Sequence, residues 1–76
     1  MKIEILGMGC PKCKKLYENS LEALKKTGKQ AEVIKVEDID KITEYSVMMT
    51  PALVIDGKVK SSGRVLSADE IAKIIT

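Results

Sequence analysis

Apolar and polar positions alternate along residues 2–6, and this period of two predicts a short strand. A glycine-rich break follows, and apolar residues then recur at helical spacing from Leu16 to Leu24. That stretch predicts a helix that begins at Cys10 and ends near Gly28, a residue type that commonly follows helix C-termini. Residues 31–36 then predict a second strand.

A short second helix is predicted after this strand. Asp38 or Asp40 supplies the side-chain acceptor that commonly caps a helix N-terminus, and the helix extends through Tyr45. Its apolar residues, Ile39 and Ile42, lie three positions apart, so we expect both to face the interior.

The last third of the chain carries the signals of a hairpin followed by a helix. Residues 52–55 form a near-continuous apolar run, which is typical of a buried strand. The pair Asp56-Gly57 indicates a tight turn into a partner strand at residues 58–61. Ser67 and Glu70 form a capping-box pattern before a closing helix. The apolar residues of that helix are expected to share one face: Ile71, Ile74 and Ile75.

These elements follow the order β-α-β-α-β-β-α, which predicts an α/β fold with a four-stranded mixed sheet and three helices. Helices between the first three strands favour parallel pairings among those strands, whereas the hairpin pairs its two strands antiparallel. The 76 residues suit a single domain, residues 1–76, and the 45% of them that are hydrophobic supply one modest core.

Composition and charge narrow the class of partner. A net charge of +2 is too small to indicate a nucleic-acid partner. The chain also has no tryptophan or phenylalanine on which bases could stack. No apolar run approaches the roughly 18 residues that cross a membrane, and the N-terminal segment lacks the apolar length of a secretory signal. We therefore expect a cytoplasmic protein without a nucleic-acid or membrane partner.

Cys10 and Cys13 carry the candidate chemistry. In a cytoplasmic protein, two cysteines at this spacing are more typical of redox or metal sites than of a structural disulfide. Pro11 suits the first helical position, and a helix N-terminus favours the thiolate form of cysteine. Nearby lysines add positive potential: Lys12, Lys14 and Lys15. We expect Cys10 to be the exposed nucleophile and Cys13 the thiol that resolves a mixed disulfide.

A metal carrier is the alternative hypothesis for the same cysteines. The loop Gly7-Met8-Gly9-Cys10-Pro11-Lys12-Cys13 resembles the Gly-Met-x-Cys-x-x-Cys loop of heavy-metal-associated copper chaperones, and thiolates at this spacing hold Cu(I) or Zn(II) well. Those chaperones end on a strand, whereas this chain has a helix between its second and third predicted strands and ends on a helix. Pro11 between the cysteines is also more typical of redox motifs. We therefore expect exchange chemistry and no metal site.

The segment Met49-Thr50-Pro51 lies directly before the buried strand at residues 52–55. A proline at this place either begins a strand in the ordinary trans form or forms a cis-proline loop beside the cysteines. In the second arrangement the backbone of Thr50 can pair with an extended segment of a substrate. We expect Thr50 and Pro51 to bind substrates, together with Pro11 and Lys12.

The cysteine pair and Thr50-Pro51, in this order and at this separation, resemble the thioredoxin superfamily. Cys-Pro-x-Cys is closer to glutaredoxins than to the Cys-Gly-Pro-Cys of most thioredoxins. Residues 46–59, together with Ser62-Gly63-Arg64-Val65, are similar to small archaeal and bacterial thioredoxin-like or glutaredoxin-like proteins that carry a redox-active disulfide. The similarity extends from the first strand to the last helix.

The resemblance implies a minimal thioredoxin fold with the sheet order second, first, third and fourth strand. By the family pattern, Cys10 attacks, Cys13 resolves and Pro51 is the cis-proline. The implied activity is that of a thiol–disulfide oxidoreductase that reduces protein disulfides and needs no cofactor. Its implied electron donor is a flavin-dependent thioredoxin reductase or a similar enzyme, and we expect a monomer.

Two parts of the sequence, residues 61–64 and Glu4, decide how much of the family pattern applies to this chain. Glutaredoxins have a Gly-Gly pair and an acidic residue where this chain has Ser61-Ser62-Gly63-Arg64, so glutathione is not an expected partner. Glu4 lies six positions before Cys10, where thioredoxins carry a buried acid that relays a proton from the resolving cysteine. Glu4 is either such a relay for Cys13 or a solvated residue of the first strand.

Overall fold

The computed structural model describes residues 1–8, 11–47 and 49–75. Within them the elements follow the predicted order: β1 (Lys2–Leu6), α1 (Pro11–Thr27), β2 (Glu32–Val36), α2 (Ile39–Glu44), β3 (Ala52–Ile55), β4 (Lys58–Ser62) and α3 (Ala68–Ile75). The predicted α/β fold, with a four-stranded mixed sheet and three helices, is confirmed for this part of the chain. β2 begins and β4 ends one residue later than predicted, and the predicted helix start at Cys10 lies outside the described residues.

The strands lie in the order β2-β1-β3-β4, as the resemblance implies. β1 and β2 are parallel, with Leu6 opposite Val36, and β3 and β4 form the predicted antiparallel hairpin. β3 runs antiparallel to β1, with Ala52 opposite Leu6, so the predicted parallel pairing of the third strand is wrong. The reason is the length of α2, whose six residues rise only about 9 Å. The chain therefore enters β3 at the end of the sheet where β1 and β2 terminate, and β3 runs back in the opposite direction.

Side chains alternate across the sheet and build an apolar cluster on each face. Ile3 and Ile5 of β1 pack with residues of α1 and α3 on the first face. Leu6 packs with a residue of α2 on the second face. Because Glu4 lies between Ile3 and Ile5 in β1, its side chain belongs to the second face, opposite α1.

Local polar signals place the helix ends as predicted. Asp38 caps α2, since its carboxylate accepts a hydrogen bond of 2.9 Å from the backbone N–H of Asp40. Ser67 and Glu70 exchange the two hydrogen bonds of a capping box at the start of α3. Gly28 follows α1 with a φ of 71°, which glycine adopts without steric strain.

Ile39 was predicted to face the interior and faces solvent instead, and Ile74 lies only at the margin of the helix face that it was predicted to share. Ile39 is 63% exposed, whereas Ile42 is buried and closes the core beneath α2. α2 has fewer than two turns, so it buries one residue rather than a stripe. In α3, Ile71 and Ile75 lie four positions apart and form the buried stripe, which leaves Ile74 at its margin with 37% exposure. Periodicity identifies these helices but not the width of the face that each one buries.

Candidate functional site

Cys13 is the third residue of α1, close to the point at which the chain leaves β1. Its side chain is only 5% exposed and belongs to the interior. Pro11 occupies the first position of the helix, as predicted, and both Pro11 and Lys12 are exposed. Cys10 and Gly9 lie outside the described residues. The structure therefore shows a buried second cysteine next to an exposed helix N-terminus.

Gly7 lies directly against this cysteine. A Cβ atom built on Gly7 would overlap the Sγ atom of Cys13. The N–H of Gly7 donates a hydrogen bond of 3.0 Å to the carbonyl oxygen of Val36, which fixes this stretch of backbone against the end of β2. Since the backbone cannot move away without breaking that bond, the sulfur fits only because residue 7 has no side chain.

The Thr50-Pro51 segment lies beside the same glycine. The Cβ atom of Thr50 is 3.9 Å from the position that a Cβ on Gly7 would take. The Thr50–Pro51 peptide bond is cis, Pro51 is buried and Thr50 is exposed. The carbonyl oxygen of Pro51 accepts a hydrogen bond of 2.9 Å from the N–H of Gly63, just beyond β4. Cys13 and Thr50, far apart in the sequence, therefore meet at Gly7.

The surface around this meeting point is apolar and basic. Met8 and Met49 are 62% and 63% exposed. Met49 packs over Gly63, where an added Cβ would lie 3.1 Å from the Cβ of Met49. The first turn of α1 contains no acidic residue. Three lysines near the start of that helix are exposed: Lys12, Lys14 and Lys15. These charges and the helix N-terminus place positive potential at this end of α1, and positive potential stabilises a thiolate that forms there.

A small pocket of about 100 Å³ opens beside Cys13. It is lined by a glycine, the thiol, two lysines and one glutamate: Gly7, Cys13, Lys14, Lys35 and Glu37. Lys35 belongs to β2 and Glu37 follows that strand directly, so both reach the cysteine through the fold rather than along the helix. Lys35 also lies over the ring of Tyr17, with its Nζ atom 4.5 Å from the ring centroid.

Glu4 takes part in a separate group of polar side chains. The hydroxyl of Tyr45 donates a hydrogen bond of 2.9 Å to Oε1 of Glu4, and this bond is the main cause that raises the pKa of Tyr45 above its usual value. The two residues line a wider pocket of about 430 Å³ with Lys2, Lys41 and Glu44. Lys41 and Glu44 belong to α2, so this pocket lies on the sheet face opposite the one that carries α1.

None of the helices in the described residues has the length and apolar character that a membrane span requires. Within residues 1–8, 11–47 and 49–75, no three histidine, cysteine, aspartate or glutamate side chains form a group that could hold a metal ion.

A family of known proteins matches the chain from the first residue to the last. The family model of the thioredoxin domain matches residues 1–76. The chain belongs to the thioredoxin family. A protein named thioredoxin from Methanothermobacter thermautotrophicus is 43% identical over 76 residues, which cover 100% of this chain and 99% of that relative. Another protein named thioredoxin, from Methanocaldococcus jannaschii, is 41% identical over 69 residues, or 91% of this chain and 79% of that relative.

These matches confirm the resemblance to the thioredoxin superfamily, and the observed sheet and helices agree with a minimal thioredoxin fold. At the level of the family they support a thiol–disulfide oxidoreductase. They give no support to the metal-carrier hypothesis, because the family and both relatives are thioredoxins.

Sequence reasoning missed two residues that the thioredoxin fold brings to Cys13. The sequence did contain a signal for the role of Gly7, since an isolated glycine next to a strand can mark a close approach of the backbone to another group. The sequence contained no comparable signal for Glu37, because it is one of 11 acidic residues and simply follows a strand. Its place beside the cysteine depends on the parallel pairing of β2 with β1.

Proposed function

We propose that this protein reduces disulfide bonds of other proteins by dithiol exchange through Cys10 and Cys13. The observation that carries the proposal is the convergence of Cys13 and Thr50 on Gly7, in a chain of the thioredoxin family. A buried thiol at a helix start can resolve a mixed disulfide, and an exposed segment next to it can hold an extended client.

The proposed reaction has two exchange steps. The thiolate of Cys10 attacks one sulfur of the client disulfide, forms a mixed disulfide and releases the other client sulfur as a thiolate. The thiolate of Cys13 then attacks the sulfur of Cys10, forms the Cys10–Cys13 disulfide and releases the second client thiolate. The released thiolates take up the protons that the two cysteines gave up. One client disulfide is thus reduced while one dithiol of this protein is oxidised.

The burial of Cys13 supports its role as the resolving cysteine. With 5% of its side chain exposed, its sulfur is difficult for a disulfide of another protein to reach, whereas a sulfur in its own chain three positions away can approach it. Cys10 takes the attacking role because it directly precedes the exposed residues Pro11 and Lys12. Attack by Cys10 and resolution by Cys13 thus fit the order in which a client would meet them.

Thr50, Pro11 and Lys12 are the proposed client contacts. All three are exposed, and Thr50 lies beside Gly7 and hence beside Cys13. An extended client segment would pair with the backbone of Thr50 as an added strand, which holds its disulfide over the start of α1. Pro51 supports this contact from beneath, because it is buried and its carbonyl is bonded to Gly63.

The proposed electron donor is a flavin-dependent thioredoxin reductase or a similar enzyme, which returns the oxidised protein to the dithiol form. The proposed compartment is the cytoplasm, where such donors keep thiols reduced. The proposed active form is the monomer. Glutathione is not a proposed substrate, because this chain has Ser61-Ser62-Gly63-Arg64 where glutaredoxins carry a Gly-Gly pair and an acidic residue.

Reduction of insulin by dithiothreitol tests this function. The native protein is expected to accelerate the appearance of turbid, reduced insulin several-fold over dithiothreitol alone. Protein whose two thiols have been alkylated with iodoacetamide is the control, and it should give the rate of dithiothreitol alone. Equal rates with native and alkylated protein would contradict the proposal.

A further inference from the structure

The resolving step requires Cys13 to lose a proton from a buried position. Its thiol is 5% exposed, yet it must become a thiolate when it attacks the sulfur of Cys10. A base within reach of that sulfur would let the proton leave as the attack proceeds. The question is which side chain lies on the route from this sulfur to solvent.

The pocket beside Cys13 provides that route. Its volume of about 100 Å³ is well above the roughly 10–15 Å³ that a cavity needs to admit one water molecule. Besides Gly7 and Cys13 itself, the described residues that line it are Lys14, Lys35 and Glu37. All three of these side chains are exposed, so the pocket joins the sulfur to bulk water.

Among the described residues that line the pocket, only Glu37 offers a carboxylate. A carboxylate has lone pairs that can accept a proton, whereas a lysine ammonium group has none. Glu4 lies on the opposite face of the sheet, where Oε1 already accepts the hydroxyl hydrogen of Tyr45. The carboxylate that shares a pocket with Cys13 is therefore that of Glu37.

We infer that Glu37, acting through water in this pocket, takes the proton from Cys13 during resolution of the mixed disulfide. This inference rests on the proposed dithiol exchange. The S–H bond of Cys13 breaks, its proton passes through water to the carboxylate of Glu37, and the sulfur bonds to Cys10. The electron pair of the broken disulfide leaves on the client sulfur, and Glu37 then gives the proton to solvent.

The lysines of the pocket act in the opposite electrostatic sense to Glu37. Lys14 and Lys35 stabilise the thiolate once it forms, and Lys12 and Lys15 add positive charge on the same helix. The charge of Glu37 by itself disfavours a thiolate, so a merely electrostatic role and a proton-accepting role predict opposite effects of removing it. This difference makes the inference testable.

The probe is cystamine that carries a fluorescent dye on each amine, mixed with an excess of the reduced protein in a stopped-flow instrument. Attack by Cys10 separates the two dyes and relieves their self-quenching. Resolution by Cys13 releases the second dye and lowers the fluorescence anisotropy. The two steps are thus observed separately, from pH 6 to pH 9.5 on the order of one measurement per half unit.

Glu37→Gln is expected to slow the anisotropy phase about tenfold near pH 6.5 and to approach the native rate at the alkaline end, where the thiol ionises without a base. The first phase should keep its native rate. Glu32→Gln removes the same charge from the far end of β2 and should leave both phases unchanged. Glu37→Asp, which keeps the carboxylate, should retain part of the rate near pH 6.5.

Four results would overturn the inference. They are an unchanged second phase in Glu37→Gln, a faster one near neutral pH, an equal loss at every pH, and the same pH-dependent loss in Glu4→Gln instead. Failure of the proposed function is a different result, since the native protein would then show no second phase that depends on Cys13.

Discussion

Replacing Cys13 with serine is expected to stop the reaction after its first step and leave the client covalently attached to Cys10. The attacking thiolate is intact in this variant, so the mixed disulfide still forms. The thiol that would resolve it from within the chain is gone, so the complex persists until an added thiol cleaves it. Insulin turnover should fall nearly to the rate of dithiothreitol alone.

The trapped complex distinguishes Cys13→Ser from the variant at the other cysteine, Cys10→Ser. With insulin as client and no added reductant, Cys13→Ser should accumulate a protein–insulin adduct that is visible on a non-reducing gel and disappears with dithiothreitol. Cys10→Ser is the matched control: it loses the same turnover but forms no adduct. The assignment of the two roles is wrong if Cys10→Ser forms the adduct, and the dithiol mechanism is wrong if Cys13→Ser keeps the native turnover.

Gly7→Ala is expected to impair both folding stability and activity, because the new Cβ would overlap the sulfur of Cys13. The hydrogen bond from Gly7 to Val36 resists movement of the backbone, so the cysteine or the start of α1 must move instead. Overpacking of this kind costs about 1–3 kcal/mol in the free energy of unfolding. A displaced sulfur should also lower insulin reduction about tenfold or more.

Gly28→Ala separates the effect on the site from a general loss of stability. Gly28 has a φ of 71° and open space around a would-be Cβ, so alanine there costs about 1–2 kcal/mol through the backbone alone. Urea unfolding should show a comparable decrease in the free energy of unfolding for Gly7→Ala and Gly28→Ala. Insulin reduction by the folded protein should fall only for Gly7→Ala.

A double-mutant cycle assigns the cost of Gly7→Ala to the sulfur. In a Cys13→Ala background the Sγ atom is absent, so the same substitution should destabilise the protein less. Some cost should remain, because the Cβ of Cys13 lies 3.1 Å from the added methyl position. An equal cost in both backgrounds would show that Gly7 is needed for a reason other than the close approach to Cys13.

Features that depend on short stretches of sequence were predicted well. The alternation in β1, the Asp56-Gly57 turn and the capping box of Ser67 and Glu70 each involve residues within a few positions of one another. Their energetics are local, and the pattern is therefore visible in the sequence itself.

Features that depend on where distant segments meet were predicted less well. The direction of β3 depends on the end of the sheet at which the chain re-enters it. The sequence pattern of α2, the helix before β3, does not specify that end. The exposure of Ile39 depends on what lies beneath α2 rather than on its own spacing. The same limit applies at the site, where the contact of Gly7 with Cys13 and the position of Glu37 are produced by tertiary packing.

The central claim is that Cys10 and Cys13 form a reversible disulfide within one chain. Equilibration of the protein in buffers of reduced and oxidised dithiothreitol, followed by acid quenching and intact mass measurement, tests it most directly. We expect one transition between two species of the monomer that differ by two hydrogen atoms, with the bond mapped to Cys10 and Cys13 after proteolysis. A protein that stays a dithiol in every buffer, or oxidises only to dimers joined between chains, would contradict the claim.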